Sequence, residues 1–161
     1  MSLLVEINNM LLSIPGATTC ESLPQFNLSS DLLSKEKVFL LDDSVGVFEI
    51  YLPALMLATE GNTDFLCHSN VQSLSDVISI IEHSAPSLVL IDFYLAGSLR
   101  GTDVCQELSQ SFPEIKLFGF SSIGRDPKIK QAFLNSGAIA SIQKTKDCSA
   151  TLEDLLGWLQ S

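Results

Sequence analysis

One run of residues limits the fold more than any other. Leu88-Val89-Leu90-Ile91 is continuously apolar, follows Pro86-Ser87 and closes on Asp92. A strand with one wet face alternates polar and apolar residues; an unbroken run of this length fits a strand covered on both faces, as in a parallel sheet. Parallel strands need crossovers, usually helical. The chain from Lys37 onward supplies both. Val38-Phe39-Leu40-Leu41 closes on Asp42-Asp43, Phe65-Leu66-Cys67 is a short strand, residues 115–120 close on Ser121-Ser122, and residues 139–142 lead to Lys144. Helical stretches fall between and after them. They are residues 47–59, with Pro53 predicting a kink or a late start; 73–83; 102–112, with Thr102 as N-cap; 126–135, opened by Asp126-Pro127; and 150–159. Five strands alternating with five helices predict an α/β fold, a doubly wound five-stranded parallel sheet.

The first 36 residues differ. Leu3, Leu4, Ile7, Leu11 and Leu12 fall near helical spacing, Pro15-Gly16 ends that pattern, and residues 17–34 are rich in Ser, Thr, Pro and Asn. The expected division is an N-terminal extension over 1–36 and a folded domain over 37–161. The extension has two readings: a disordered leader, or a short helix that docks on the domain or mediates a homodimer.

A net charge of −10 argues against nucleic acid or an anionic membrane as partner, since both need clustered Lys and Arg. No apolar run approaches the roughly 20 residues of a spanning helix, and Glu6 interrupts the only apolar start, so no export signal is expected. The cysteines at 20, 67, 105 and 148 form no CxxC pair. They predict reduced thiols in a cytoplasmic protein. His68 and His83 stand at no zinc spacing and are expected to be surface or half-buried residues.

In such a sheet, ligands bind at the carboxyl ends of the strands near the topological switch point. Asp42, Asp43, Asp92, Ser121 and Lys144 all stand at such ends, so residues distant in sequence can share one shallow pocket. Three crowded carboxylates repel one another, and a hard divalent cation with oxygen ligands, Mg²⁺, removes that cost. One aspartate then remains as a nucleophile toward a phosphoryl group, with Lys144 and Ser121 facing the oxygens on which charge develops.

At this point the sequence resembles the receiver domain of two-component response regulators, over about residues 37–161. The resemblance rests on KVFLLDDS, SLVLIDFYLAGSLRGTDV, IKLFGFSS and GAIASIQKT, in that order. It implies the flavodoxin-like (βα)5 fold and a signalling domain that catalyses only its own phosphorylation and dephosphorylation. Asp92 is then the phosphoacceptor. Asp42, Asp43, Asp92 and the backbone carbonyl of Tyr94 would hold Mg²⁺, Ser121 is the switch hydroxyl and Lys144 pairs with the phosphoryl group. The implied partners are a histidine kinase or phosphotransfer protein and a downstream protein target, met through about residues 126–161. The side chain of Tyr94 is expected to slow attack by water.

Three departures stand beside the resemblance. Ser141 occupies the position of an aromatic whose rotamer follows the switch, Thr145 replaces a proline, and Leu95-Ala96 replaces Met-Pro. They favour the alternative of a pseudo-receiver, a protein-interaction module that is not phosphorylated. A haloacid-dehalogenase-like phosphatase would need a second aspartate where Tyr94 stands. A flavodoxin would need a Ser, Thr and Gly loop where Asp42-Asp43 stands, and no P-loop is present. Asp103 has the position of a first-turn residue favoured by the helix dipole.

Overall fold

The computed structural model describes residues 2–161. Five strands, β1 (Val38–Asp42), β2 (Thr63–Cys67), β3 (Leu88–Ile91), β4 (Lys116–Ser121) and β5 (Ala140–Gln143), form one sheet in the order β2-β1-β3-β4-β5. Every neighbouring pair is parallel. The helices are α1 (Leu3–Leu12), α2 (Val45–Ala58), α3 (Leu74–Ser84), α4 (Gly101–Ser111), α5 (Pro127–Asn135) and α6 (Cys148–Gln160). The chain leaves β1 toward β2 on one side and returns to β3 on the other, so the switch point lies between the carboxyl ends of β1 and β3.

The period of two along each strand sorts its side chains into two cores. Val38, Leu40, Leu88, Leu90, Phe118, Phe120 and Ile142 face α2 and α6; Phe39, Leu41, Val89, Ile91 and Leu117 face α3, α4 and α5. A sheet with helices on both faces follows from strands apolar on both faces.

The element boundaries differ from the sequence expectation for physical reasons. α2 starts at Val45 and continues unbroken past Pro53, whose apolar ring is buried there. β2 begins at Thr63, because Val38 to Asp42 pair with Thr63 to Cys67 along their full length. Thr102 lies inside α4, and the N-cap is Arg100, whose backbone N–H donates to the Asp103 carboxylate at 3.1 Å. α6 begins at Cys148 because the Asp147 carboxylate accepts from the Ala150 N–H at 3.1 Å.

The extension is packed. α1 lies against α2, with Ile7 and Leu11 fully buried and Ile14 at 3% exposure, all within the core that holds α2 and α6. Leu12, next around the helix from Leu11, is 69% exposed and takes no part in the buried face. Further along, the Glu49 carboxylate of α2 accepts from the Thr18 backbone N–H and hydroxyl. The Glu153 carboxylate of α6 accepts from the Ser29 N–H at 2.5 Å and hydroxyl at 2.6 Å. A short 3-10 helix (Leu32–Lys35) buries Leu33 before β1. The segment expected to be irregular is therefore tied at two points across α2 and α6.

Candidate functional site

The carboxyl end of the sheet gathers four of the charged residues singled out above. Asp42 ends β1 and is fully buried, Asp92 follows β3 at 9% exposure, and Asp43 is exposed beside them. Carboxylate oxygens of Asp42, Asp43 and Asp92 lie within 4.8 Å of one another. Lys144, at the end of β5, reaches across β4 and β3. Its Nζ donates to Asp42 Oδ2 at 2.5 Å and lies 3.2 Å from Asp92 Oδ1. The buried lysine is balanced by two carboxylates, which leaves the cluster net negative.

Burial dominates the electrostatics. Desolvation raises the Asp42 carboxyl above its ordinary value; Lys144 opposes this. Burial and the charge of Asp42 together push Asp92 up to about 6, again against the pull of Lys144. A cation among the three carboxylates would relieve this cost. The donor set, oxygen only and partly open on the side of Asp43, fits a hard divalent ion.

Ser121, the last residue of β4, is 2% exposed, and its hydroxyl accepts the Ile123 N–H at 3.3 Å. Its carbonyl accepts the Lys144 N–H at 2.9 Å, extending the β4–β5 ladder by one bond and placing both residues at the same end of the sheet. Ser122 is exposed. The loop from Phe93 to Arg100 folds back on β3: Gly101 donates its N–H to the Phe93 carbonyl at 2.7 Å, and Tyr94 pairs with Arg100 as an isolated antiparallel bridge. Gly101 cannot be another residue without movement, since a Cβ there would stand 1.8 Å from the Asp92 carbonyl oxygen. The Tyr94 ring is 51% exposed, with the Arg100 guanidinium 4.9 Å from its centroid and the Phe93 ring edge-on at 4.8 Å.

Two features had no sequence signal. His68, expected at the surface or half-buried, is 3% exposed. Its Nδ1 accepts the Ala96 N–H at 3.1 Å, so its ring proton sits on Nε2, which lies 3.0 Å from the Gln72 carbonyl. It thereby ties the loop after β2 to the loop after Asp92. The second is a hydroxyl cluster behind Lys144. The Thr145 N–H, which a proline would lack, donates to the Tyr51 hydroxyl at 3.1 Å and to Thr151 Oγ1 at 3.2 Å. The Tyr51 hydroxyl donates to the Thr145 carbonyl at 2.5 Å, and its ring packs edge-on against Phe120 at 5.0 Å. Ser141 places no ring beside β5; its hydroxyl donates to the Gly124 carbonyl at 2.8 Å.

No protein-family model and no curated protein matches the sequence. Solved structures do match the fold. The BeF3-activated receiver domain of DrrB aligns with a TM-score of 0.62 at 16% identity, over 78% of this chain and 98% of that one. A CheY-like receiver domain protein from Methanospirillum hungatei aligns at 0.60 and 20% identity, over 76% and 92%. NtrX from Brucella abortus aligns at 0.63 and 20% identity over 78% of this chain, which spans only 27% of NtrX. The fold is that of a response-regulator receiver domain. In the receiver fold the crevice beside the β1/β3 switch point is where a ligand is held, and here that crevice contains Asp42, Asp43, Asp92 and Lys144. No helix among the described residues is long and apolar enough to cross a membrane.

Proposed function

We propose that the chain is a two-component receiver, with residues 37–161 as the receiver unit, that takes a phosphoryl group on Asp92 from a histidine kinase or phosphotransfer protein. The observation that carries this is the convergence of the Asp42, Asp43 and Asp92 carboxylates with Lys144 at the β1/β3 switch point. An Asp92 oxygen attacks the phosphorus, the bond from phosphorus to the donor breaks, and the product is an aspartyl phosphate; the leaving group takes its proton from solvent. Lys144 exchanges its contact with Asp92 for one with a phosphoryl oxygen, and the Ser121 hydroxyl, released from Ile123, donates to another. Asp42, Asp43, Asp92 and the Tyr94 carbonyl would hold Mg²⁺, which neutralises charge on the transferring group. Tyr94 shields the product from water. The domain then acts by changing which protein it binds in the cytoplasm, where its four free cysteines remain reduced.

Intact mass after incubation with Mg²⁺ and acetyl phosphate tests this. One added phosphate is expected, absent without Mg²⁺ and absent in Asp92→Asn. The second reading, a pseudo-receiver, is favoured by the Ser141 and Thr145 positions. Folded protein that takes no phosphate from acetyl phosphate or phosphoramidate and binds no Mg²⁺ would turn the conclusion to it.

A further inference from the structure

Charge is distributed unevenly along the chain. Residues 38–115 hold eleven of the nineteen Asp and Glu but one of the nine Lys and Arg, Arg100. That guanidinium is engaged by its own loop: it donates to the Gly97 and Leu99 carbonyls at 3.3 and 3.1 Å and lies over the Tyr94 ring. A net charge of −10 makes an acidic surface ordinary, whereas an apolar groove set within one needs a reason.

Such a groove lies between α3 and α4. Val77 and Ile81 of α3 are fully buried against the sheet, and Leu74, Ile78 and Glu82, four residues apart, form the next row around the helix. That row, with Ser79 and with Glu107 of α4, lines a hollow of about 570 Å³. Leu74 and Glu107 also line a second hollow of about 250 Å³, which continues to Leu99 and Asp103. Leu74, Ile78 and Leu99 are half-buried and pack on the core beneath α3 and α4. Glu82 and Asp103 are exposed and Glu107 is half-buried, and none of the three joins an ion pair among the described residues. Three carboxylates thus border an apolar floor, and no basic side chain lines either hollow.

We propose that this groove docks a basic amphipathic helix of a partner protein. Its apolar stripe lies on Leu74, Ile78 and Leu99, while Lys or Arg on its flanks meet Glu82, Asp103 and Glu107. The occupant is a helix because of what lines the groove. Leu74, Ile78 and Glu82 on α3, and Asp103 and Glu107 on α4, follow the four-residue ridges between which the ridge of a third helix packs. A strand would need unpaired backbone, and the open edges of the sheet are β2 and β5, neither of which lines the groove.

The inference deepens the receiver reading by naming the chemistry of a partner, and it rests on that reading only for the link to Asp92. Leu99 and Asp103 flank Gly101, whose N–H donates to the Phe93 carbonyl at 2.7 Å, so two residues of the groove are joined to the loop that follows Asp92. Binding is measured without phosphate, so a failure of phosphorylation leaves the binding result standing. The probe is the fluorescein-labelled, amidated peptide Ala-Lys-Leu-Ala-Lys-Leu-Leu-Ala-Lys-Leu-Ala-Lys-Leu-Leu. Its three twins carry Ser for every Leu, Glu for every Lys, or Pro for the third Ala. A saturable rise in anisotropy is expected at about 0.15 M salt, with every twin at least about tenfold weaker. The double variant Glu82→Lys, Glu107→Lys should weaken binding at least about tenfold, and Ser79→Trp, which fills the larger hollow from its wall, should abolish it. Glu21→Lys, Glu60→Lys, the same change of charge on the α2 side of the sheet, should leave the affinity within about twofold. If Ser79→Trp fails to fold, the two charge reversals decide. No saturable rise up to about 1 mM protein overturns the proposal, as does equal binding of any twin or equal weakening by the two charge reversals. A dimer in sedimentation that Glu82→Lys, Glu107→Lys dissociates overturns it in favour of a second copy of this chain.

Discussion

Replacing Asp92 by Asn should stabilise the metal-free protein at neutral pH. Asp92 is pushed from the ordinary 3.8 to about 6, first by burial and next by the charge of Asp42. A raised acid pKa means that the folded state holds its proton more tightly than the unfolded chain does. Well below pH 3.8 both states are protonated and Asp92 costs nothing. Between about pH 4 and 6 the unfolded chain releases its proton first, so stability falls as pH rises and stays lower above that window. Two units correspond to about 3 kcal/mol, a figure that already includes the pull of Lys144 at 3.2 Å, so the expected gain for Asn is about 2–3 kcal/mol. Urea unfolding in EDTA from pH 4 to 8 measures it. The variant and wild type should differ least at pH 4 and separate progressively to pH 7, where melting of the variant rises by about 4–12 °C. Saturating Mg²⁺ should reverse the order, because the wild type binds the ion with one more carboxylate and gains more from it. A variant no more stable than wild type at pH 7.5 without metal, or a difference that does not change with pH, would refute the account of the crowded carboxylates.

Three further outcomes follow from the packing. Lys144→Met removes the cation between Asp42 and Asp92 and should cost about 3–5 kcal/mol in EDTA, with a substantial part restored by Mg²⁺; equal loss with and without the ion would contradict the pairing. Leu11→Ala opens a cavity beneath α1 and should cost about 2–5 kcal/mol in urea unfolding, whereas Leu12→Ala, on the exposed side, should stay within about 0.5 kcal/mol. Tyr51→Phe keeps the ring against Phe120 but removes the hydroxyl that joins Thr145 and Thr151. A loss of about 1–3 kcal/mol is expected, and an unchanged midpoint would show that the Thr145 N–H finds another acceptor.

The class of fold was legible because it rests on local information. An unbroken Leu88–Ile91 run closing on Asp92 admits one kind of strand, and the strand-helix alternation after Lys37 admits one kind of sheet. Asp126-Pro127 and Ser73 predicted their helix starts because capping is set by a side chain and the backbone within three residues of it. Thr102 misled because the true start depends on a distant contact: Gly101 is pressed against the Asp92 carbonyl, which begins the helix one residue earlier. The convergence of Asp42, Asp43, Asp92 and Lys144 was expected from their positions at strand ends. Their distances, and the fact that Lys144 bridges two aspartates, belong to the folded chain.

Two matters were decided only in three dimensions. The sequence left the extension as a disordered leader or a docked helix; what chooses between them is a complementary surface on α2 that exists only once the sheet has formed, and it buries Ile7 and Leu11 completely. His68 read as an ordinary polar residue and Thr145 only as the replacement of a proline, since nothing within a few positions of either names a partner. His68 is fixed by Ala96, 28 residues away, and Thr145 by Tyr51, 94 residues away, so the loops beside the aspartate cluster are set by contacts that no local pattern encodes. Local periodicity and capping determined the sheet and its aspartates, while long-range hydrogen bonds and buried surface determined how those aspartates are held.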